Sequence, residues 1–299
     1  MKRTDVVSRT DQTLQLPDGR TLGFAEYGSP EGNVLVYCHG YPGSRLEAAT
    51  LSAHAAEAHV RVVSLDRPGF GRSSFQEGRS LLDWPHDLVA VTERLGIDRF
   101  AVMGVSGGAP YALACAQQIP ERLLSCGIVS AIAPVKLGAT GMDWQNRVVV
   151  FLVNRTPWLF TRLLGRMARS ARDEQRARDA MIRTVRRMAR PDREVLQAPG
   201  VIDELAASAG EVYRQGVQGA ASEARLYARD WGFQLEDIAF QPLYLWHGAR
   251  DTFAPIERAR AVAGKLAHCQ ATYYPDEGHF STLLNHQPEF FAALFSPPA

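Results

Sequence analysis

The stretch FAVMGVSGGAPYALACAQQ, residues 100–118, sets an uninterrupted apolar run directly before a serine among glycines and a helix-period segment directly after it. Phe100 to Val105 shows no polar alternation, the pattern of a strand covered on both faces as in a parallel sheet. Gly107 to Gln118 has the spacing of a helix, and Gly104-Val105-Ser106-Gly107-Gly108 joins the two. A sharp strand-to-helix turn is crowded two residues before and two after its apex, and Gly104 and Gly108 are the small residues it needs there. Such a turn lifts the Ser106 hydroxyl above the sheet and leaves the Gly107 amide at a helix N-terminus, where it can donate to an oxyanion. G-x-S-x-G alone occurs by chance, so the flanking strand and helix carry the argument.

Working outward, similar apolar runs stand at Asn33–Cys38, Val60–Leu65, Cys126–Ser130, Leu243–Trp246 and Ala271–Tyr274. Helix-period segments lie at Arg45–Ala58, Leu81–Leu95 and Ile256–Leu266. Near the start, TLQLPD and TLGFAEYG flank an Asp-Gly turn, a hairpin signal. Alternating β and α elements after a hairpin predict an α/β fold with a mostly parallel sheet, antiparallel at one edge. The rhythm breaks after Pro134: Val135 to Asp237 holds amphipathic helical segments and no strand-like run. The chain therefore divides into a core, residues 1–134 and 236–299, and an all-helical insertion, residues 135–235. No internal repeat or low-complexity segment is present.

The 299 residues are 46% hydrophobic and 22% charged, which excludes disordered, collagenous and disulfide-scaffold classes. Lys+Arg 33 against Asp+Glu 32 gives a net charge of +1, no field for a polyanion, so nucleic acid is not expected as a partner. No apolar run is long enough to span a bilayer, and no apolar segment follows the basic residues at the start. We expect a cytoplasmic protein without a membrane partner, acting on a small-molecule substrate; the oligomeric state is open. Cys38, Cys115, Cys126 and Cys269 have no CxxC spacing and read as free thiols, mostly buried. With no HExxH, paired-Cys, P-loop or dinucleotide signature, neither a metal nor an organic cofactor is expected.

A serine hydroxyl is a weak nucleophile and needs an imidazole base, itself oriented by a carboxylate. Among the eight histidines, His54, His59, His86 and His268 lie on helical segments or their ends, and His286 has the same bland reading. His279, in DEGHFS, follows a predicted strand and precedes a C-terminal helix, the place where α/β sheets put their sites. Asp251, in HGARDTFAP, follows the strand Leu243–Trp246 and is the preferred acid, since Asp276 and Glu277 stand too close in sequence to His279 to reach its ring easily. A second oxyanion donor is offered by the Tyr41 amide in HGYPG; Pro42 has none to give. His39 reads as a brace of its loop, and DRPGFGRS, residues 66–73, as a loop supporting the site rather than holding a nucleotide.

Taken in order, HGYPGSR, DRPGFGRS, GVSGGAP, HGARDTFAP and DEGHFS resemble the α/β-hydrolase superfamily, over the whole chain except the insertion. The resemblance implies the α/β-hydrolase fold, Ser106 as nucleophile, His279 as general acid and base, Asp251 as its orienter, Tyr41 and Gly107 as the oxyanion hole, and residues 135–235 as a cap. Members that open epoxides or carbon-halogen bonds carry Asp at the elbow, so Ser106 argues against both. An esterase-like activity through an acyl-enzyme is expected. A lactonase, a C-C bond hydrolase, a proline-iminopeptidase-like or cofactor-free haloperoxidase-like enzyme, and a non-catalytic ligand-binding member stay open. Iminopeptidases of this fold typically show HGGPG and a tryptophan after the serine, where this chain has HGYPG and Gly107. In the insertion, Met142, Trp144, Val148, Val149, Phe151, Leu152, Trp158, Leu159 and Phe160 suggest a hydrophobic substrate, though such a stripe more commonly forms a helical core. The arginines from Arg162 to Arg193 read as a solvated face, interleaved with Asp173, Glu174 and Asp179.

Overall fold

The computed structural model describes residues 6–138, 144–171 and 173–296. Met142 lies outside them, as does the side chain of Trp144. Eight strands form one sheet: β1 (Val7–Gln15), β2 (Thr21–Gly28), β3 (Asn33–Cys38), β4 (Val60–Leu65), β5 (Phe100–Val105), β6 (Leu123–Val129), β7 (Leu243–Gly248) and β8 (Cys269–Tyr274). Their order is β1-β2-β4-β3-β5-β6-β7-β8. β2 runs antiparallel to both neighbours and β3 to β8 are mutually parallel, so the hairpin caps one edge of a parallel sheet.

The apolar runs became strands because helices cover both faces. On one side pack α2 (Trp84–Arg94), α3 (Ala109–Gln118) and α10 (Ile256–Ala263), meeting Val36, Cys38 and Val102. On the other, α1 (Ser52–Glu57) and α12 (Gln287–Phe295) meet Leu35, Tyr37, Ala101 and Met103. Successive residues of β3 and β5 thus serve opposite cores, which makes both strands apolar but for Asn33 at the exposed start of β3 and the Tyr37 hydroxyl, satisfied by Glu47.

Differences from the sequence reading have local causes. β6 begins at Leu123, before the apolar run, because buried Ser125 is satisfied by donating to the Leu294 carbonyl at 2.7 Å. β1 and β8 extend through polar residues because both are sheet edges with half-exposed side chains. The segment from Arg45 opens as a tight 3-10 run to Leu51 before α1, with the Ser44 hydroxyl accepting the Leu46 amide.

Between β6 and β7 the described residues form six α-helices, two short 3-10 turns and no strand: α4 (Trp144–Arg155), α5 (Pro157–Ala171), α6 (Glu174–Val185), α7 (Arg190–Val195), α8 (Val201–Val212) and α9 (Gln218–Tyr227). Phe160, Leu164 and Ala168 of α5 join Val212 and Ala224 in a cluster that also takes in Phe70 from the β4–α2 loop. Trp231, Phe233 and Leu235 already belong to the core beside the sheet. The chain closes with α11 (His279–Asn285) and α12.

Candidate active site

Ser106 has φ +52°, a left-handed conformation rarely held by a non-glycine residue, at the apex between β5 and α3. The glycines around it are forced by packing. A Cβ on Gly104 would run into the Gly108 carbonyl, and one on Gly108 would run into the Cys38 carbonyl at the end of β3. A Cβ on Gly107 would stand 2.7 Å from Tyr41 Cβ and 3.2 Å from the Tyr41 nitrogen, so the two proposed donor amides belong to segments in close contact.

His279 and Asp251 come from the loops after β8 and β7, brought side by side by the pairing of those strands. His279 Nδ1 lies 2.7 Å from Asp251 Oδ2. Asp251 Oδ1 accepts the Phe253 and Ala254 amides, each at 2.8 Å, which fixes the carboxylate. Burial raises the Asp251 carboxyl, but the neighbouring His279 outweighs it and holds it below the usual range. Burial likewise opposes the charged His279 ring, yet Asp251, with Asp192 and Glu47, holds its pKa above the ordinary 6.5. His247, buried 3.6 Å from Asp251, is pushed down by burial and places Nε2 on the Ala254 carbonyl at 2.7 Å.

Ser106, Gly107, Tyr41 and His279 border one cavity of about 720 Å³, with Val150, Val153, Met181 and Leu205 among the apolar residues around it. All the predicted site residues are thereby brought to one place, with Asp251 behind the imidazole. His54 is half-buried against Gln287, and His59, His86 and His268 are exposed, away from this cavity. His39 Nδ1 bonds the Gly40 carbonyl at 2.9 Å and burial pushes its pKa well down, in keeping with a loop brace.

Sequence reasoning missed three features. Glu47 borders the cavity; its Oε1 accepts Tyr37 Oη at 2.7 Å and the Gly40 amide at 2.8 Å, and burial raises its pKa. It lies in the segment after HGYPG, a signal that was available. Arg67 of the 66–73 loop donates to the Gly40 carbonyl at 2.8 Å, and its Nε stands 2.6 Å from Glu223 Oε1 of α9, an ion pair whose N–H is not aimed for a hydrogen bond. Asp192 of α7 binds the backbone at His279, and nothing in the arginine-rich sequence around it signals that.

The insertion's apolar residues divide. Val149, Val150 and Val153 border the cavity and Phe160 is buried, whereas Phe151 is 60% and Trp158 69% exposed, so the stripe is not simply a helical core. Cys38, Cys115 and Cys126 are buried free thiols and Cys269 is a half-buried one. Among the described residues no cluster of His, Cys, Asp and Glu could hold a metal, and no helix is long and apolar enough to cross a membrane.

The family pattern for the alpha/beta hydrolase fold matches residues 33–285. The chain belongs to the alpha/beta hydrolase fold family. Its N-terminal antiparallel hairpin and six parallel strands agree with that fold. Over 113 residues it is 32% identical to a proline iminopeptidase of Neisseria gonorrhoeae, a match covering 37% of this chain and 36% of that one. The match spans about a third of that relative's length. An esterase from Exiguobacterium antarcticum superposes with a TM-score of 0.66 at 15% identity, covering 95% of this chain and 97% of that one. An enol-lactonase from Burkholderia xenovorans LB400 does so with 0.65 at 16% identity, covering 94% and 97%. These structural likenesses establish the fold alone.

Proposed function

We propose that this family member is a serine hydrolase that cleaves an ester or related acyl bond of a small hydrophobic substrate through an acyl-enzyme on Ser106. The observation that carries the reading is that a serine in strained backbone and an imidazole tied to a buried carboxylate open onto the same apolar cavity. With Nδ1–H held by Asp251, His279 Nε2 is left as the base. It takes the Ser106 proton as Oγ attacks the acyl carbon, and the Tyr41 and Gly107 amides receive the charge on the carbonyl oxygen. The protonated imidazole then gives its proton to the leaving alkoxide. Water, deprotonated by His279, attacks the acyl-enzyme, and the carboxylic acid departs with Ser106 restored.

In this reading residues 135–235 act as a cap, whose α4, α5 and α6 contribute apolar side chains to the cavity and so select the substrate. A cytoplasmic location fits four free thiols. The test is intact mass after exposure to a small fluorophosphonate. One adduct on wild type, lost in Ser106→Ala and formed far more slowly in His279→Ala, supports the reading; no adduct on folded wild type overturns it.

One observation favours a second reading, an aminoacyl substrate. Glu47 is the carboxylate bordering the cavity near Ser106, a Cβ on Gly40 being 3.4 Å from its Oε2 and 3.8 Å from Ser106 Cβ. Such a group can hold a substrate ammonium, and the partial sequence match is to iminopeptidases. In that case Glu47→Gln raises KM for aminoacyl esters by much more than for acyl esters of the same size.

A further inference from the structure

Six of the ten large apolar side chains that stand exposed among the described residues fall between Val148 and Met167. Val149 and Met167 also border the cavity; Val148, Phe151, Trp158 and Leu163 do not. The same region is one-sided in charge: from Trp144 to Arg172 the sequence has six arginines and no Asp or Glu. This sets it apart from α6, where Glu174 and Asp179 accompany the arginines and Asp173 caps the helix.

The two features share a face. On α5, Phe160, Leu164 and Ala168 point into the helical cluster. Trp158, Arg162 and Arg166 recur every four residues on the exposed side, with Leu163 and Met167 alongside. On the adjoining α4, Val148, Phe151 and Arg155 continue the surface. Arg155, Arg162, Arg166 and Arg169 pair with no carboxylate among the described residues.

We propose that the exposed face of α4 and α5 lies on an anionic phospholipid surface, with Phe151 and Trp158 in the headgroup boundary and the arginines on lipid phosphates. Exposed aromatic residues interleaved with unpaired arginines are the composition of a helix that rests in a membrane interface. A second copy fits poorly, because two-fold pairing would oppose arginines to arginines with no acid to offset them. The expectation of no membrane partner rested on the lack of a spanning segment, which does not bear on a helix lying flat. Val149 and Met167, on these same helices, border the cavity, so an apolar substrate dissolved in lipid would meet the protein beside its site.

The full chain is sedimented with vesicles of phosphatidylcholine alone and of phosphatidylcholine mixed with phosphatidylglycerol. Binding is read without turnover, so it stands or falls separately from Ser106 chemistry, which fluorophosphonate labelling reports. The expected result is binding to the mixed vesicles that is lost in high salt, with little binding to phosphatidylcholine alone. Arg162→Glu with Arg166→Glu, and separately Phe151→Ser with Trp158→Ser, weaken it by at least about tenfold while circular dichroism and labelling rate are kept. Because these side chains are exposed, the variants are expected to fold. Absence of binding to the mixed vesicles, or binding unchanged in both double variants, overturns the proposal. So does a dimer in sedimentation velocity that Trp158→Ser abolishes without any vesicle binding by wild type.

Discussion

Asp192 accepts the backbone amide of His279 at 3.0 Å, and its other oxygen accepts those of Phe280 and Ser281 at 2.8 and 2.9 Å. A fully buried carboxylate from the helical insertion therefore holds the first turn of the helix that begins with the imidazole. The fit is close enough that a Cβ on Gly278 would land on the Asp192 carboxylate. The insertion and the histidine loop are one packed unit.

Replacing Asp192 tests that connection. Asp192→Ala strands buried amides, each costing about 1–3 kcal/mol, so the melting temperature falls and Ser106 labelling slows as His279 loses its fixed position. Asp192→Asn keeps one acceptor oxygen and lies between wild type and Ala in labelling rate. Equal labelling rates in all three proteins would show that the carboxylate only fastens the insertion.

The acid side of the pH profile follows from His279. The imidazole acts as a base only when neutral, and its pKa is raised above 6.5, so kcat/KM falls as pH drops through a midpoint above that value. Asp192→Asn removes one of the charges that favour the imidazolium and moves the midpoint to lower pH. Asp251→Asn moves it the same way and cuts the rate by about 10⁴-fold through loss of the tautomer. A wild-type midpoint below 6.5 would contradict this electrostatic account.

Backbone strain at Ser106 gives a stability prediction of opposite sign to the activity. At φ +52° glycine is at ease and serine is not, so Ser106→Gly removes labelling and stabilises the fold by about 1 kcal/mol. Thermal denaturation decides it: a lower melting temperature in the glycine variant would mean the turn is not strained.

Glu223 is buried and faces both Arg67, at 2.6 Å, and Arg79, at 2.5 Å. Glu223→Gln leaves two guanidinium groups without a countercharge and is expected to cost about 3–5 kcal/mol in denaturant unfolding. It also loosens the tie from α9 through Arg67 to the Gly40 carbonyl, so labelling slows in whatever protein remains folded. A loss below about 1 kcal/mol would show that water enters the cluster.

What could be read from the chain was whatever leaves a local pattern. β3, β4 and β5 match the apolar runs residue for residue, because covering on both faces selects apolar side chains at most positions, Asn33, Arg61 and Ser64 being the exceptions. The hairpin arm of β1 from Thr13 was legible, but its first residues, 7 to 12, and part of β8 were not: edge strands face water and carry polar residues. Ser106, Asp251 and His279 could be singled out because each follows a strand in a motif with its own turn chemistry. Glu47 carried a weak signal and Asp192 none, since the partners of Asp192 are 87 to 89 residues away.

The sequence by itself determined the alternation of strands and helices, the glycine-lined turn at Ser106 and the chain order of serine, aspartate and histidine, all consequences of short-range sterics and periodic burial. Only the tertiary structure decided which helices of the insertion border the cavity, that Glu47 stands beside it, that Asp192 and Glu223 tie the insertion to the histidine and Gly40 loops, and that Phe151 and Trp158 face outward. Those relationships join residues far apart in sequence. An amphipathic helix has the same periodicity whichever of its faces meets the core, so contact alone assigns them.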